Sequence, residues 1–160
     1  MSMKKSRIEL ELRSHHKDAF MWAKQCCNFN EDDAKEVLQM TYLKIAEGRA
    51  KFNEKSAFKT WLFSVIRFTA IDFLRGKFSY EELGEKEFAL PGHLNGSDID
   101  FQTLLKKISE RQQQVILLNF YHGLSLNEIA EVMDLHVGTV RTHYERAKES
   151  LRNLVEKQSV

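Results

Sequence analysis

The stretch from residue 123 to residue 148, GLSLNEIAEVMDLHVGTVRTHYERAK, constrains the fold of this chain more than any other. It contains Ser125, whose hydroxyl can accept a hydrogen bond from a free amide at a helix start, and Glu128, which completes a capping box three residues later. The apolar residues that follow recur with the period of one buried helix face, at Leu126, Ile129, Ala130 and Met133. Residues 134–136 interrupt that period, so the sequence predicts a short helix that ends in a tight turn.

A second, longer helix is predicted to begin near residues 137–139. Its apolar face continues through Val140, Tyr144, Ala147, Leu151 and Leu154, and it also carries Arg141, His143, Arg146 and Lys148. A short apolar helix, a tight turn and a longer basic helix together are typical of a helix-turn-helix with a DNA-recognition helix. The alternative, an ordinary pair of core helices, does not account for that coincidence.

The composition favours a soluble, globular, all-α protein, because 42% of the 160 residues are hydrophobic, 29% are charged and only one is proline. The net charge of +1 is unevenly distributed: residues 1–80 carry +5, residues 81–100 carry −5 and residues 101–160 carry +1. No apolar run approaches the roughly 18 residues of a membrane span, and the start of the sequence does not resemble a signal peptide. We therefore expect a modular protein of the cytoplasm, without membrane insertion.

Four of the seven glycines and the single proline, Pro91, lie between residues 76 and 96 and mark a flexible acidic linker. We predict two small helical modules, residues 1–76 and 99–160, joined by linker 77–98, in which Tyr80–Phe88 could form a helical turn. The predicted helices of the first module run from about residue 8 to 28, from the Asn30 cap to Gly48, and from residue 57 to 75 after a cap at Ser56. The second module adds a short helix near residues 101–108 and a helix capped by Ser109 and ended by Gly123, with Val115, Ile116, Leu118 and Tyr121 supporting the helix-turn-helix.

His15, His16, Cys26 and Cys27 are the residues that would suggest a metal site or a redox sensor. The histidine pair and the cysteine pair are about three helical turns apart, roughly 15–18 Å, so one helix cannot bring all four together. No nucleophile is paired with a base at a suitable spacing. We therefore expect no catalytic residue, no metal and no cofactor, and we expect both thiols to be reduced and buried.

The predicted third helix is unusually aromatic. Its inward side is predicted to hold Phe58, Trp61, Leu62, Val65, Ile66, Thr69 and Phe73, which leaves Phe63, Arg67, Phe68 and Ile71 on the remaining surface. Two interpretations stay open: a wide core face with partly exposed rings, or a basic aromatic surface on which unpaired bases stack. Met40, on the polar face of the second helix, is likewise either a lone surface methionine or part of a partner-binding surface.

The chain resembles the extracytoplasmic-function (group 4) sigma factors of the sigma-70 family. DDAKEVLQMTYLKI is similar to sigma region 2.2, FNEKSAFKTWLFSVIRFTAIDFLR is similar to regions 2.3 and 2.4, and the segment from ISERQQQ to ESLR is similar to region 4. The resemblance implies a non-enzymatic subunit that binds core bacterial RNA polymerase through its clamp and flap and directs it to −10/−35 promoters. It further implies that the subunit promotes strand opening and is controlled by an anti-sigma factor.

The resemblance also assigns roles to individual residues. It implies that core polymerase is bound by Glu36, Gln39, Met40 and Lys44. It implies that the single-stranded −10 element is bound by Phe52, Asn53, Lys55, Ser56, Phe63, Arg67 and Phe68. It implies that the duplex −35 element is bound by Thr139, Arg141, Thr142, Glu145 and Arg146. The sequence departs from its relatives at Met40, where they usually carry Glu, at Glu54, where they often carry Gly, and at Phe68, where many carry Asn.

An autonomous helix-turn-helix regulator with a sensory first half is the second hypothesis. It predicts a dimer and a palindromic operator. The aromatic helix from Phe58 to Arg75 is better suited to melted DNA than to dimerisation, and it therefore favours the sigma-factor hypothesis.

Overall fold

The computed structural model describes residues 4–81 and 99–158, and every regular element in those two ranges is helical. The helices are α1 (Lys5–Cys26), α2 (Glu31–Ala46), α3 (Phe58–Glu81), α4 (Ile99–Leu105), α5 (Glu110–Ile116), a π-helical turn (Leu117–Tyr121), α6 (Leu126–Met133) and α7 (Val137–Gln158). They form two compact units, of which the first contains residues 4–81 and the second contains most of residues 99–158. The prediction of an all-α fold with two helical modules is confirmed.

The core of the first unit is built around Trp22 of α1. Trp22 is fully buried, its ring is stacked on that of Phe63 of α3 with centroids 5.7 Å apart, and its Nε1 donates a hydrogen bond to the Phe63 carbonyl oxygen at 3.1 Å. Ala19, Ala23 and Cys26 are buried beside it at helical spacing. Each of the three helices packs against the other two, so the unit is a three-helix bundle.

The second helix begins and ends as its sequence predicts. The Asn30 side chain accepts a hydrogen bond from the Asp33 amide at 3.0 Å, and the acidic residues of the first turn lie where the helix dipole favours them. The buried stripe of α2 consists of Ala34, Val37, Leu38, Thr41 and Ile45. The helix ends just before Gly48, which has a φ of +76°.

The third helix is longer than predicted. It continues through Gly76 to Glu81, so the predicted boundary of the first module at residue 76 falls inside α3. Lys77 lies on this added turn, and its Nζ contacts both carboxylate oxygens of Asp33 at 3.0 and 2.8 Å. This ion pair fastens the end of α3 to the first turn of α2. The rest of the predicted linker, residues 82–98, lies outside the described residues, as does most of the predicted helical turn at Tyr80–Phe88.

The second unit begins as predicted but departs from the predicted periodicity after residue 116. Ser109 caps α5 by accepting a hydrogen bond from the Gln112 amide at 3.2 Å, and Val115, Ile116 and Leu118 are buried. The chain then makes a π-helical turn, in which a wider turn changes which side chains face inward. The predicted core position of Tyr121 is therefore wrong: Tyr121 is exposed, and His122 is buried in the second unit.

Within the described ranges, no helix is long and apolar enough to cross a membrane.

Candidate nucleic-acid interface

The helix-turn-helix forms at residues 125–140. Ser125 Oγ accepts a hydrogen bond from the Glu128 amide at 3.1 Å, and Glu128 Oε1 accepts one from the Ser125 amide at 3.0 Å. The predicted capping box is therefore confirmed. Asp134 makes the tight turn with a φ of +53°, a conformation that Asp tolerates better than most residues. The amide of Val140 then donates to the carbonyl oxygen of His136 at 3.1 Å, which closes the first turn of α7.

The orientation of α7 in the second unit is set by two fully buried residues, Val140 and Ala147, which lie two turns apart on one face. Five side chains on the rest of the first two turns are exposed: Thr139, Arg141, Thr142, Glu145 and Arg146. The last four are spaced at i, i+1, i+4 and i+5, so they share one face of the helix. That face offers guanidinium donors, a hydroxyl and a carboxylate, which are the groups that read base edges in a major groove.

The loop before α3 is anchored by its first aromatic residue. Phe52 is buried, with its ring centroid 5.3 Å from the centroids of both Phe58 and Trp61. The prediction that Phe52 binds the −10 element directly is therefore corrected: its ring anchors the loop to α3. Beyond this anchor, Asn53 and Lys55 are exposed and Ser56 is partly exposed. The buried Phe52 ring thus fixes the loop, and the polar side chains that follow it are exposed.

The aromatic residues of α3 divide between the core and the surface. Phe68 is 64% exposed and Arg67 is partly exposed, as a surface for unpaired bases requires. Phe63 has no exposed surface because it packs against Trp22, so a DNA strand cannot reach it. The prediction that Phe63 lines the strand is corrected on this ground: the burial of the Trp22 ring requires a flat partner on α3, and Phe63 supplies it.

The predicted polymerase-binding face of α2 is mostly accessible. Glu36 and Gln39 are exposed and Met40 is partly exposed. Sequence reasoning missed Leu43, which is 52% exposed and lies on the same face as Gln39 and Met40, at i+4 and i+3. Lys44 differs from its predicted orientation, because its Nζ reaches across to α3 and donates to Thr69 Oγ1 at 3.0 Å.

An exposed aromatic cluster that the sequence did not indicate lies on the second unit. The π-helical turn leaves Phe120 64% exposed and stacks its ring on that of Tyr144 of α7, with centroids 6.2 Å apart. Lys148 Nζ lies 4.6 Å from the centroid of the Tyr144 ring. The spacing of Tyr144 and Lys148 was visible in the sequence, but the register change that brings Phe120 to them was not.

The histidine pair of α1 and the cysteine pair at its end make contacts unrelated to metal binding. His16 Nδ1 lies 2.8 Å from the Tyr42 hydroxyl, His15 stacks on Phe58 with centroids 5.8 Å apart, and both cysteines are buried free thiols, as predicted. Burial, reinforced by the nearby Asp33 carboxylate, raises the pKa of the Cys27 thiol to about 12. Burial likewise raises the pKa of the Tyr42 hydroxyl to about 12. In the part of the chain that the structure describes, no three ligating side chains are grouped as a metal site.

Comparison with known proteins matches each of the two helical units to a family of its own. The family model for sigma-70 region 2 matches residues 12–78, and the model for sigma-70 region 4 matches residues 99–151. The ECF RNA polymerase sigma-E factor of Escherichia coli K12 is 32% identical over 143 residues, which cover 78% of this chain and 74% of that protein. The chain belongs to the extracytoplasmic-function group of the sigma-70 family. This sigma factor is also 29% identical, over 126 residues, to the RNA polymerase sigma factor SigV of Bacillus subtilis, with 77% and 76% of the two chains covered.

Two solved structures share the fold. The sigma factor RpoE of Bartonella quintana, solved with the anti-sigma factor NepR, matches with a TM-score of 0.76 at 22% identity, over 94% of this chain and 97% of that one. CnrH, solved with the cytosolic domain of CnrY, matches with a TM-score of 0.67 at 22% identity, over 96% and 90% of the two chains. Family membership establishes that this sigma factor acts in promoter-specific transcription initiation, with core RNA polymerase and promoter DNA as its partners.

Proposed function

We propose that the exposed face of α7 reads the −35 element in the major groove. The observation that carries this proposal is the position of Arg141, Thr142, Glu145 and Arg146 on the accessible face of a helix whose opposite face is fixed by Val140 and Ala147. Arginine can bind guanine or phosphate, and glutamate can accept a hydrogen bond from cytosine. Thr139, at the start of the helix, is placed to contact the DNA backbone.

The first unit would hold the single-stranded −10 element. Asn53, Lys55 and Ser56 of the loop, together with Arg67 and Phe68 of α3, combine cations, hydrogen-bonding groups and one exposed ring. Single-stranded DNA is bound by this combination, in which aromatic rings stack with bases and basic residues follow the backbone. Phe52 and Phe63 would act indirectly, by fixing the loop and the helix.

The exposed face of α2 would bind the polymerase clamp. Glu36, Gln39 and Met40 contribute polar groups and one apolar side chain, and Leu43 enlarges the apolar part of the same face. A partly exposed methionine and an exposed leucine one helical turn apart suit the core of a protein interface. In the second unit, Phe120 and Tyr121 provide a comparable exposed surface for the polymerase flap.

We infer that this chain acts by binding rather than by catalysis, without metal or cofactor, in the cytoplasm where its family functions. Control by an anti-sigma factor is proposed because the Bartonella relative of the same fold was solved with one. Such a partner would compete with core polymerase for the exposed apolar residues of α2 and the π-helical turn.

Run-off transcription tests the proposal. Genomic DNA fragments are transcribed by core bacterial RNA polymerase with and without the purified full-length protein. Discrete transcripts that require the protein, preceded by shared −35 and −10 motifs, are the expected result. If no such transcripts form and the protein alone binds a palindromic duplex as a dimer, the autonomous-regulator hypothesis replaces this one.

A further inference from the structure

The outer face of α1 carries a straight seam of accessible side chains. The residues of this seam follow one another at alternating intervals of four and three residues, and they lie opposite the buried series of α1 that faces the core. They are Leu10, Ser14, Lys17, Met21 and Lys24. One helix packs along another through side chains at this spacing. The α1 seam therefore has the geometry to receive a second helix.

Two apolar side chains belong to the α1 seam. Leu10 is 65% exposed, and Met21, about three turns further along, is partly exposed. Burial in a protein interface stabilises such side chains, whereas contact with a phosphate backbone does not. A helix that lies on a membrane needs a continuous apolar face, and the apolar face of α1 is buried in the core. The two side chains therefore favour a protein partner.

Three cations determine the charge of the α1 seam. Lys17 and Lys24 belong to it, and Arg13 is exposed beside it. Among the residues that the structure describes, none of the three cations forms an ion pair with a carboxylate. Their charges are left to solvent, so an interface that supplies carboxylates gains charge pairs without breaking existing ones.

The acidic residues of α1 that form ion pairs lie away from the seam. Glu11 Oε2 is 3.4 Å from His15 Nε2, and Asp18 Oδ2 is 3.9 Å from Lys59 Nζ of α3. The seam itself contains positive side chains and no negative one. Pairing of two copies of the chain through this face would bring like charges together. Charge complementarity therefore requires an acidic partner.

We propose that the α1 seam is a docking surface for a helical segment of another protein, with acidic side chains facing the three cations and apolar side chains facing Leu10 and Met21. The seam shares no residue with the proposed polymerase-binding face of α2 or with the residues proposed to bind promoter DNA. It is thus a third interaction surface of the first unit.

A synthetic helix tests the proposal with the full-length protein. The probe is a fluorescein-labelled peptide as long as the seam, with glutamate at the positions that face the cations and leucine at those that face the apolar residues. The comparison probes are the same peptide with lysine in place of glutamate, a DNA duplex, and vesicles of phosphatidylglycerol. Fluorescence anisotropy measures the affinity of the peptides and the duplex, and co-sedimentation measures the affinity of the vesicles.

Two variants of the seam separate its charge from its apolar contacts. One replaces all three cations by glutamine, and the other is Leu10→Gln. The matched control removes three exposed cations of the second unit, through Lys106→Gln, Lys107→Gln and Arg111→Gln. The urea unfolding midpoint, followed by tryptophan fluorescence, should be the same for both seam variants and the wild type, because the substituted side chains lie outside the core.

The acidic helix is expected to bind the wild type, and the lysine peptide is not. Loss of the three cations should weaken binding of the acidic helix about tenfold, because exposed charge pairs contribute modestly and three are lost. Leu10→Gln should weaken it roughly fivefold through the lost apolar burial. The control variant should bind as the wild type does, and both seam variants should support run-off transcription with core polymerase.

Several results would overturn the proposal. Absence of binding to the wild type, or equal weakening by the control variant, would exclude a specific seam. Duplex or vesicle binding that is tighter than peptide binding and depends on the three cations would assign the face to nucleic acid or membrane, and self-association that depends on them would assign it to a second copy. Loss of transcripts in the seam variants would place α1 in the polymerase or promoter contact. The proposed function fails separately, if the wild-type protein gives no promoter-specific transcripts.

Discussion

Replacing Phe63 and Phe68 separately by leucine distinguishes a core ring from a surface ring on the same helix. Phe63 is fully buried against Trp22, whereas Phe68 is 64% exposed. Phe63→Leu loses part of a buried aromatic side chain, about 1 kcal/mol, and also the ring stacking with Trp22, about another 1 kcal/mol. We expect the free energy of unfolding of the first unit to fall by about 2 kcal/mol, and by less than about 0.5 kcal/mol for Phe68→Leu.

Intrinsic fluorescence measures this effect selectively, because both tryptophans of the chain, Trp22 and Trp61, belong to the first unit. With a urea dependence of about 1 kcal/mol per molar, the unfolding midpoint of Phe63→Leu should drop by about 2 M. Phe68→Leu should keep the wild-type midpoint but slow promoter opening, as followed by permanganate reactivity of unpaired thymines. An unchanged midpoint for Phe63→Leu together with slower opening would refute the buried position of Phe63.

Two further substitutions and one chemical reagent test other parts of the molecule. Arg146→Ala should weaken promoter binding by about 1–3 kcal/mol and erase the upstream footprint. Arg152→Ala, further along α7, should leave both the affinity and the footprint unchanged. Equal effects of the two substitutions would contradict a specific contact of Arg146 with DNA. Ser125→Ala should destabilise the second unit by about 1 kcal/mol, seen as faster amide exchange in α6, and unaltered exchange would show that the capping box is dispensable. Iodoacetamide at pH 8 should modify Cys27 in urea but not in the native protein. Burial raises the pKa of the Cys27 thiol from 9.0 to about 12, so the contribution of this thiol to stability is complete below pH 9 and is lost as the pH rises toward 12. A urea unfolding midpoint that stays constant between pH 9 and pH 12 would contradict the burial of Cys27.

The parts of the fold that could be predicted are those decided by residues close in sequence. The capping box at Ser125 and the caps at Asn30 and Ser109 form hydrogen bonds across three residues, so their residue types alone indicate them. Gly123 adopts a φ of +71°, which glycine permits at a helix end. The exposed face of α7 was predictable for the same reason, since the buried period of a single helix determines it.

The predictions of burial were wrong where contacts between residues distant in sequence determine which side chains face the core. The buried series on α1 is Ala19, Trp22, Ala23 and Cys26. The sequence of α1 also offers a competing apolar series, Ile8, Leu12, Phe20, Ala23 and Cys27, and only packing against α2 and α3 selects between the two. On α3, apolar residues surround the helix, so periodicity could not separate Phe63 from Phe68. The π-helical turn shifts Tyr121 outward, and no pattern of residues within α5 indicates such a turn.

The loop before α3 places a glutamate in a backbone conformation that favours glycine. Glu54 adopts a φ of +62°, a left-handed conformation that glycine takes without strain. The neighbouring Asn53 side chain accepts a hydrogen bond from the Lys55 amide at 3.1 Å, and such turns of asparagine stabilise a local reversal. The loop therefore keeps a conformation that glycine would favour, while adding an exposed carboxylate. A carboxylate repels phosphate but accepts hydrogen bonds from base amino groups. If the loop binds the −10 element as proposed, Glu54 would therefore change the chemistry of that contact rather than the path of the loop.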